Sequence, residues 1–372
     1  MSPVSGLQER VQHLLDGATA AAIATSPGQD APADGAPGAV ALIAHRGEVL
    51  AQAHAGWALA FDGHGRPLPE RDREPVTAGH LWDVASVTKL LTAVCALVHT
   101  DAGVLDLDRP LAEDLPEFAD APDRARVLPR HLLTHTAGLP PVLPLWRSGG
   151  TREELAAQIL HTPLAGPPAE RQEYSCVGYL ILGLLLERLT GQMLPDLLQI
   201  SVLDPLGLTE TGYRPLPGRP VAATEYQQDP PRGLVRGQVH DETAWTLGGA
   251  GNAGIFSTAT DLLSFAEEVR TGARGLLREP TRALLRTGTL APAEAARIGY
   301  DQAIGFRLGQ RAVCGTTDPQ VFGHSGFTGT SVVIDPDREL VTVLLTNRVH
   351  PRREQFDVQH LRTELAALAR TG

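Results

Sequence analysis

The stretch Trp82-Asp83-Val84-Ala85-Ser86-Val87-Thr88-Lys89-Leu90-Leu91-Thr92-Ala93-Val94 opens a helix and sets a serine three residues ahead of a lysine. Positions i and i+3 share a helix face, so the two side chains meet. A serine at a helix start also feels the positive end of the macrodipole, which favours negative charge developing there. Lys89 is the one lysine of the chain, and the other 31 basic residues are all arginine. Arginine holds its proton up to a pKa above about 12. A lone lysine among arginines therefore fits a task that needs a neutral amine. A serine hydroxyl is a weak nucleophile and needs a base beside it. An amine serves only where burial and neighbouring cations lower its pKa. Apolar sequence on both sides of the pair suits a buried lysine. The plainer reading stays open: Ser86 or Asp83 caps the helix and Lys89 is a surface charge.

Outward from this helix, which closes at Gly103, the chain changes character twice. On the N-terminal side, residues 5–16 put Leu7, Val11, Leu14 and Leu15 on one face, the pattern of an amphipathic helix. Residues 26–38 are rich in Gly and Pro and predict a flexible loop. The runs GAVALIAH and EVLAQAHAGWA flank Arg46-Gly47 as a β-hairpin, and a polar loop covers 61–79. On the C-terminal side, helical segments (151–161, 176–190, 194–202, 258–271, 279–287) alternate with Pro/Gly-rich loops. Strand patterns return in AIGFRL, VFGHSGF, TSVVIDP and ELVTVLLTN, with a turn over Asp335–Arg338, before a last helix over about 353–370. The simplest arrangement is an α/β (α+β) fold. One antiparallel sheet is built from both chain ends and flanked by the terminal helices, with a mostly helical domain inserted. The expected division is 1–80 with 301–372 for the sheet domain, and 81–300 for the helical domain that carries Ser86.

With 372 residues, 42% hydrophobic and 20% charged, the composition is that of a globular protein that buries a full core. The net charge of −11 argues against nucleic acid or an anionic membrane as partner. Three widely spaced cysteines (Cys95, Cys176, Cys314) form neither a disulfide framework nor a zinc pattern. The N-terminus carries Glu9 and Arg10 where an export signal needs an apolar run. The longest apolar run, Val177 to Leu186, is too short to span a bilayer. These features lead us to expect a cytoplasmic protein.

Ser86-Val87-Thr88-Lys89 resembles the S-x-x-K motif of serine β-lactamases and penicillin-binding proteins. Tyr174-Ser175-Cys176 resembles the second element of that family, Y-x-N, and Gly323-His324-Ser325-Gly326 the third, K-T-G, in the H-S/T-G form of class C-like esterases and peptidases. HLLTHTAGLP (131–140) and GNAGIFSTATDLLSF (251–265) look like further family stretches, and the likeness runs over about residues 38–350.

The resemblance implies the fold expected above and a role for each matching residue. Ser86 would be acylated. Lys89 and Tyr174 would together take its proton, pass it to the leaving group and later activate water. The N–H groups of Ser86 and Phe327 would form the oxyanion hole. Cys176, His324, Ser325, Gly326 and Phe327 would contact substrate, and no cofactor or metal is implied. Two departures matter. Cys176 replaces an asparagine, and a thiol lacks the paired donor and acceptor of an amide. His324 replaces a cationic lysine, and an imidazole is mostly neutral above pH about 6.5, so a substrate carboxylate would be held less firmly as pH rises from about 6 to 8. Both tilt the expectation from β-lactamase toward hydrolysis of a small-molecule ester, with an amide or β-lactam as lesser substrates. The alternatives are a D-alanyl-D-alanine carboxypeptidase, a weak β-lactamase, or a sensor that is acylated without turnover.

Other signals fit less well. Gly249 to Gly254 matches G-x-G-x-x-G, but lacks the strand before it and the acid about 20 residues on that a dinucleotide site needs. His131 and His135 are spaced like zinc ligands without the catalytic glutamate. His240-Asp241-Glu242 either lines the site or caps a helix.

Overall fold

The computed structural model describes residues 3–24 and 33–372. The elements that build the sheet and carry the site are, in chain order, α1 (Pro3–Ala24), β1 (Gly38–His45), β2 (Glu48–Leu59), β3 (Glu74–Pro75), α2 (Thr88–Asp101), α3 (Cys176–Thr190), α4 (Ala259–Thr271), β4 (Asp301–Gln302), β5 (Arg307–Leu308), β6 (Phe322–Ser325), β7 (Ser331–Asp335), β8 (Leu340–Thr346) and α5 (Gln359–Thr371). The strands form one eight-stranded sheet in the order β3-β2-β1-β8-β7-β6-β5-β4, every pair antiparallel. The N-terminal hairpin is thus zipped onto the C-terminal strands, with Ala39 opposite Thr346 and His45 opposite Leu340. The sheet built from both chain ends is as the sequence predicts. Arg46 and Gly47 both have positive φ, 54° and 82°, the backbone that a two-residue hairpin turn requires.

β1 is buried on both faces. Val40, Leu42 and Ala44 join the main core, and Ala39, Ala41 and Ile43 join a second core against the terminal helices. That is why the strand reads as a continuous apolar run and does not alternate with polar residues. The face under the terminal helices is floored by small side chains (Ala39, Ala41, Ala51, Ala53, Ala55), and Leu7, Val11 and Leu15 of α1 with Leu361 and Leu365 of α5 fill it. Each such fully buried leucine contributes about 1.5–3 kcal/mol. On the other face α4 packs Leu262, Phe265 and Ala266 into the core that also holds α2 and α3.

The differences from expectation lie at element ends. The first helix spans Pro3–Ala24, beyond the expected 5–16. The expected loop over 26–38 lies outside the described residues up to 32, while Ala33-Asp34 pair in parallel with Phe356-Asp357. That pairing, together with Arg353 engaged by two carboxylates, delays the last helix from 353 to Gln359. In AIGFRL only Arg307-Leu308 is strand, because Ala303 N–H closes a turn onto Phe306 O through Gly305 at φ +78°. The expected 194–202 helix is Leu194–Leu198 followed by a wider turn over Gln199–Leu203, and the 279–287 helix ends at Ala283. Among the described residues no single helix is long and apolar enough to cross a membrane.

Candidate active site

Trp82-Asp83 pairs antiparallel with Phe256-Ser257, and the chain then turns sharply into α2. Ala85, in the middle of this turn, has φ +46°, a left-handed backbone that costs an alanine about 1–3 kcal/mol. Side chains from three directions hold it there. The Asp83 carboxylate accepts the Ala85 N–H at 2.8 Å and the His240 N–H at 2.7 Å. Thr328 Oγ1 donates to Asp83 O at 2.8 Å, and Thr330 Oγ1 donates to Val84 O at 2.9 Å. Burial pushes the Asp83 carboxyl above its usual range, against the opposing pull of His240 and its two N–H bonds. The outcome of this bracing is that Ser86, next after the strained residue, sits partly exposed at the head of the helix.

Ser86 Oγ accepts hydrogen bonds from Tyr174 Oη at 2.8 Å and from Lys89 Nζ at 3.1 Å. Lys89 is wholly buried. Its ammonium has three hydrogens and finds three acceptors: Ser86 Oγ, Asn252 O at 2.9 Å and Cys176 Sγ at 3.5 Å. Burial pulls the pKa of Lys89 down, but the electrostatic pull of Cys176 and then Tyr174 outweighs it and holds the pKa above the ordinary value. The sequence reading expects burial and neighbouring cations to bring the amine toward neutrality; here the shift runs the other way. The Tyr174 phenol is also held up by burial, against the lowering effect of Lys89 and Arg307. Lys89 and Tyr174 share one environment, so their protons come off as a coupled pair.

Tyr174 lies just ahead of α3. Ser175 caps that helix by accepting the Gly178 N–H at 3.2 Å, which fixes Tyr174 and Cys176 on either side of the cap. The Tyr174 ring packs 4.6 Å from the His135 ring, and the guanidinium of Arg307 lies 4.9 Å from its centre. His324, on β6, is 1% exposed, and its Nδ1 donates to Ser325 O at 2.9 Å. Burial, then Arg307, Lys89 and His135, hold its pKa well below the ordinary value. That direction weighs against the expected loss of carboxylate binding with rising pH. Beyond β6, Gly326 presses against the Ser86 turn. A Cβ there would meet Thr330 Oγ1 at 2.2 Å and Val84 O at 2.4 Å. The next residue, Phe327, is 46% exposed, and among the described residues no backbone carbonyl accepts from its N–H.

The structure thus brings Ser86, Lys89, Tyr174 and Cys176 into direct contact, sets the His324 ring 6.1 Å from that of Tyr174, and carries Gly326 against the Ser86 turn. Three contributors escaped the sequence reading. Asn252 offers a carbonyl, and only the density of glycines around it hints at close packing; a Cβ on Gly251 would meet Tyr179 O at 2.3 Å. Arg307 is one arginine among 31. Asp83 was weighed only as a cap. His131 and His135, spaced like metal ligands, instead accept the backbone N–H groups of Leu128 and Ser175, each at 3.2 Å. Among the described residues no group of three His, Cys, Asp or Glu is arranged to hold a metal ion.

A serine at a strained helix entry, bonded to a buried lysine and a tyrosine beneath an antiparallel sheet, defines the β-lactamase and penicillin-binding class of fold. The chain belongs to the Beta-lactamase family, whose model matches residues 8–367. It is 32% identical over 327 residues to a putative D-alanyl-D-alanine carboxypeptidase of Escherichia coli K12, covering 79% of this chain and 75% of that one. In structure it is similar to EstCE1, a hydrolase with promiscuous acyltransferase activity (TM-score 0.76, 23% identity, 98% and 99% of the two chains covered). It is also similar to a class C β-lactamase (TM-score 0.74, 18% identity, 99% and 98% covered).

Proposed function

We propose that this chain is a serine hydrolase that cleaves small esters through an acyl-enzyme on Ser86. The supporting observation is the convergence of Tyr174 Oη at 2.8 Å and Lys89 Nζ at 3.1 Å on Ser86 Oγ. Once the Lys89–Tyr174 pair has lost one proton, it can take the proton of Ser86 as Oγ attacks the ester carbonyl carbon. The carbonyl oxygen gains negative charge beside the N–H groups of Ser86 and Phe327. Collapse of the tetrahedral adduct expels the alkoxide, which takes the proton back from the pair and leaves as the alcohol. Water then repeats the sequence on the acyl-enzyme and releases the carboxylic acid. Cys176 in place of an amide supports esters over β-lactams, since a thiol cannot both donate to and accept from a substrate amide. Intact mass spectrometry after a fluorophosphonate tests the reading: one adduct on the Ser86 peptide is expected, and an unlabelled or differently labelled chain overturns it.

A second reading, a D-alanyl-D-alanine carboxypeptidase, is favoured by Arg307. Its guanidinium lies over the Tyr174 ring, and its buried Nε has no hydrogen-bond partner among the described residues, so it offers a carboxylate-terminated substrate the cation that His324 does not. Release of D-alanine from a peptide ending in D-Ala-D-Ala separates the two.

A further inference from the structure

The trio His240-Asp241-Glu242 falls at a junction behind the oxyanion side of the site. Asp241 Oδ1 caps the short helix Glu242–Leu247 by accepting the Ala244 N–H at 2.8 Å. His240 makes three other connections. Its N–H donates to the Asp83 carboxylate, the group that also holds Ala85 in the nucleophile turn. Its Nε2 meets Glu225 Oε2 at 2.9 Å. Its ring stacks on Phe327, with centres 5.8 Å apart and planes 21° from parallel. His240 and Glu225 are both nine-tenths buried or more, at 3% and 6% exposure. Phe327, half open to solvent, is fixed from its remaining sides by cations. Arg348 and Arg353 lie 4.7 and 5.6 Å from its ring centre, and Arg348 Nε donates to Phe327 O at 2.8 Å. Arg353 in turn grips Glu225 and Glu242, each at 2.6 Å. Burial pushes the Glu225 carboxyl up, but hydrogen bonds from His240 and Arg353 outweigh it and pull it down to about 2. The anchor beneath the histidine is therefore a permanent carboxylate.

We propose that His240 is a positioning residue that locks together the two halves of the oxyanion hole. Its main chain holds the Ser86 turn through Asp83, and its ring, steered by Glu225, holds the peptide of Phe327. The Ser86 N–H and the Phe327 N–H come from segments more than 200 residues apart in sequence. Stabilisation of an oxyanion needs both donors aimed at one point before charge develops. His240 touches both segments from behind, beside the direct bonds that Thr328 and Thr330 make to Asp83 O and Val84 O. The His240 ring adds a face-on contact to the bonds that already hold this turn, Arg348 Nε to Phe327 O and Gly326 N–H to Thr330 O, and so sharpens the aim of the Phe327 N–H. The inference rests on the Ser86 acyl-enzyme reading and on the Phe327 N–H as a donor.

The experiment measures kcat and KM for a p-nitrophenyl ester, and the affinity for an alkyl boronic acid, whose tetrahedral adduct occupies the oxyanion hole. Parent, His240→Ala, His240→Phe, Phe327→Leu and the His240→Ala/Phe327→Leu double variant are compared. His240→Ala should lower kcat and boronate affinity by a common factor of about 10–100, within the cost of losing one oxyanion donor, with KM moved less than twofold. His240→Phe, which keeps a ring on Phe327, should recover most of the loss. The double variant should be no worse than His240→Ala alone, because both changes cut one connection. Unchanged kcat in His240→Ala, equal loss in His240→Phe, or additive losses in the double variant would overturn the proposal. Should His240→Ala not fold, Phe327→Leu decides: it must show the same loss in kcat at constant KM, and kcat within twofold of the parent overturns the proposal. A parent that fails to label at Ser86 sinks the functional reading instead, so the two failures are distinguishable.

Discussion

Lys89 Nζ stands 3.1 Å from Ser86 Oγ, with the lysine side chain wholly buried. A surface lysine would be replaceable by arginine at little cost, whereas this one is enclosed and hydrogen-bonded on every hydrogen. Arginine keeps the charge and cannot become a base. Lys89→Arg and the uncharged Lys89→Met should each lower kcat/KM for a p-nitrophenyl ester by about 10²–10⁴, the worth of a general base. Ordinary turnover in either variant would show that the amine takes no part.

Tyr174→Phe removes one oxygen and keeps the ring that packs on His135. The lost hydrogen bond to Ser86 costs about 0.5–1.5 kcal/mol of stability. Activity should fall far more, by about 10²–10⁴ in kcat/KM. A drop of tenfold or less, with the melting temperature held, would assign the proton transfer to Lys89 alone.

Removing Cys176 should change the pH at which the Lys89–Tyr174 pair gives up a proton. The electrostatic pull of Cys176 is the largest of the influences that raise Lys89, ahead of Tyr174 and Asp241. A base with a raised pKa works only once pH has climbed through that value, so kcat/KM should rise on the alkaline side. Cys176→Ala leaves Lys89 its burial and removes this influence, so the rising limb should move to lower pH. A pH–kcat/KM profile of the parent and the variant measures it. A limb that stays in place or moves upward contradicts the assignment.

What could be read from sequence, and what could not, divides along physical lines. β1 and β8 announce themselves because both are buried on two faces, β1 as an unbroken apolar run and β8 as one interrupted only by Thr342. α3 was predicted over 176–190 and is Cys176–Thr190, since Ser175 caps one end and Gly191 takes the left-handed backbone at the other. Ser86 and Lys89 were legible because i and i+3 on a helix meet whatever the rest of the chain does. The proton affinity of Lys89 was not, because it depends on Cys176, Tyr174 and Asn252, up to 163 residues away. Arg307 and Asp83 were hidden for the same reason: their roles come from tertiary neighbours and leave no local pattern.

Arg307 and His324 make opposite predictions for acidic substrates. Burial and the neighbouring cations hold His324 well below its ordinary value, so KM for a carboxylate-bearing ester should stay flat between pH 6 and 8. Arg307→Gln should raise KM for the acidic ester at least tenfold more than for its neutral methyl-ester counterpart. Equal effects on both, or a KM that climbs between pH 6 and 8, would remove Arg307 as the carboxylate's partner.

Gly326 packs the end of β6 on the Ser86 turn. Its Cα faces Val84 O and Thr330 Oγ1 so closely that a methyl group would overlap both, at 2.4 and 2.2 Å. Thr330 Oγ1 is itself bonded to Val84 O, and Gly326 N–H to Thr330 O at 2.8 Å, so neither neighbour can yield without breaking the bracing of Ala85. Gly326→Ala should therefore cost about 1–3 kcal/mol as an overpacked core position. It should also displace Phe327, the next residue, and lower kcat beyond what the stability loss explains. Chemical denaturation and ester kinetics below the melting transition separate the two effects. An alanine variant with parental stability and kcat would mean that the turn and the strand tolerate a gap the structure does not contain.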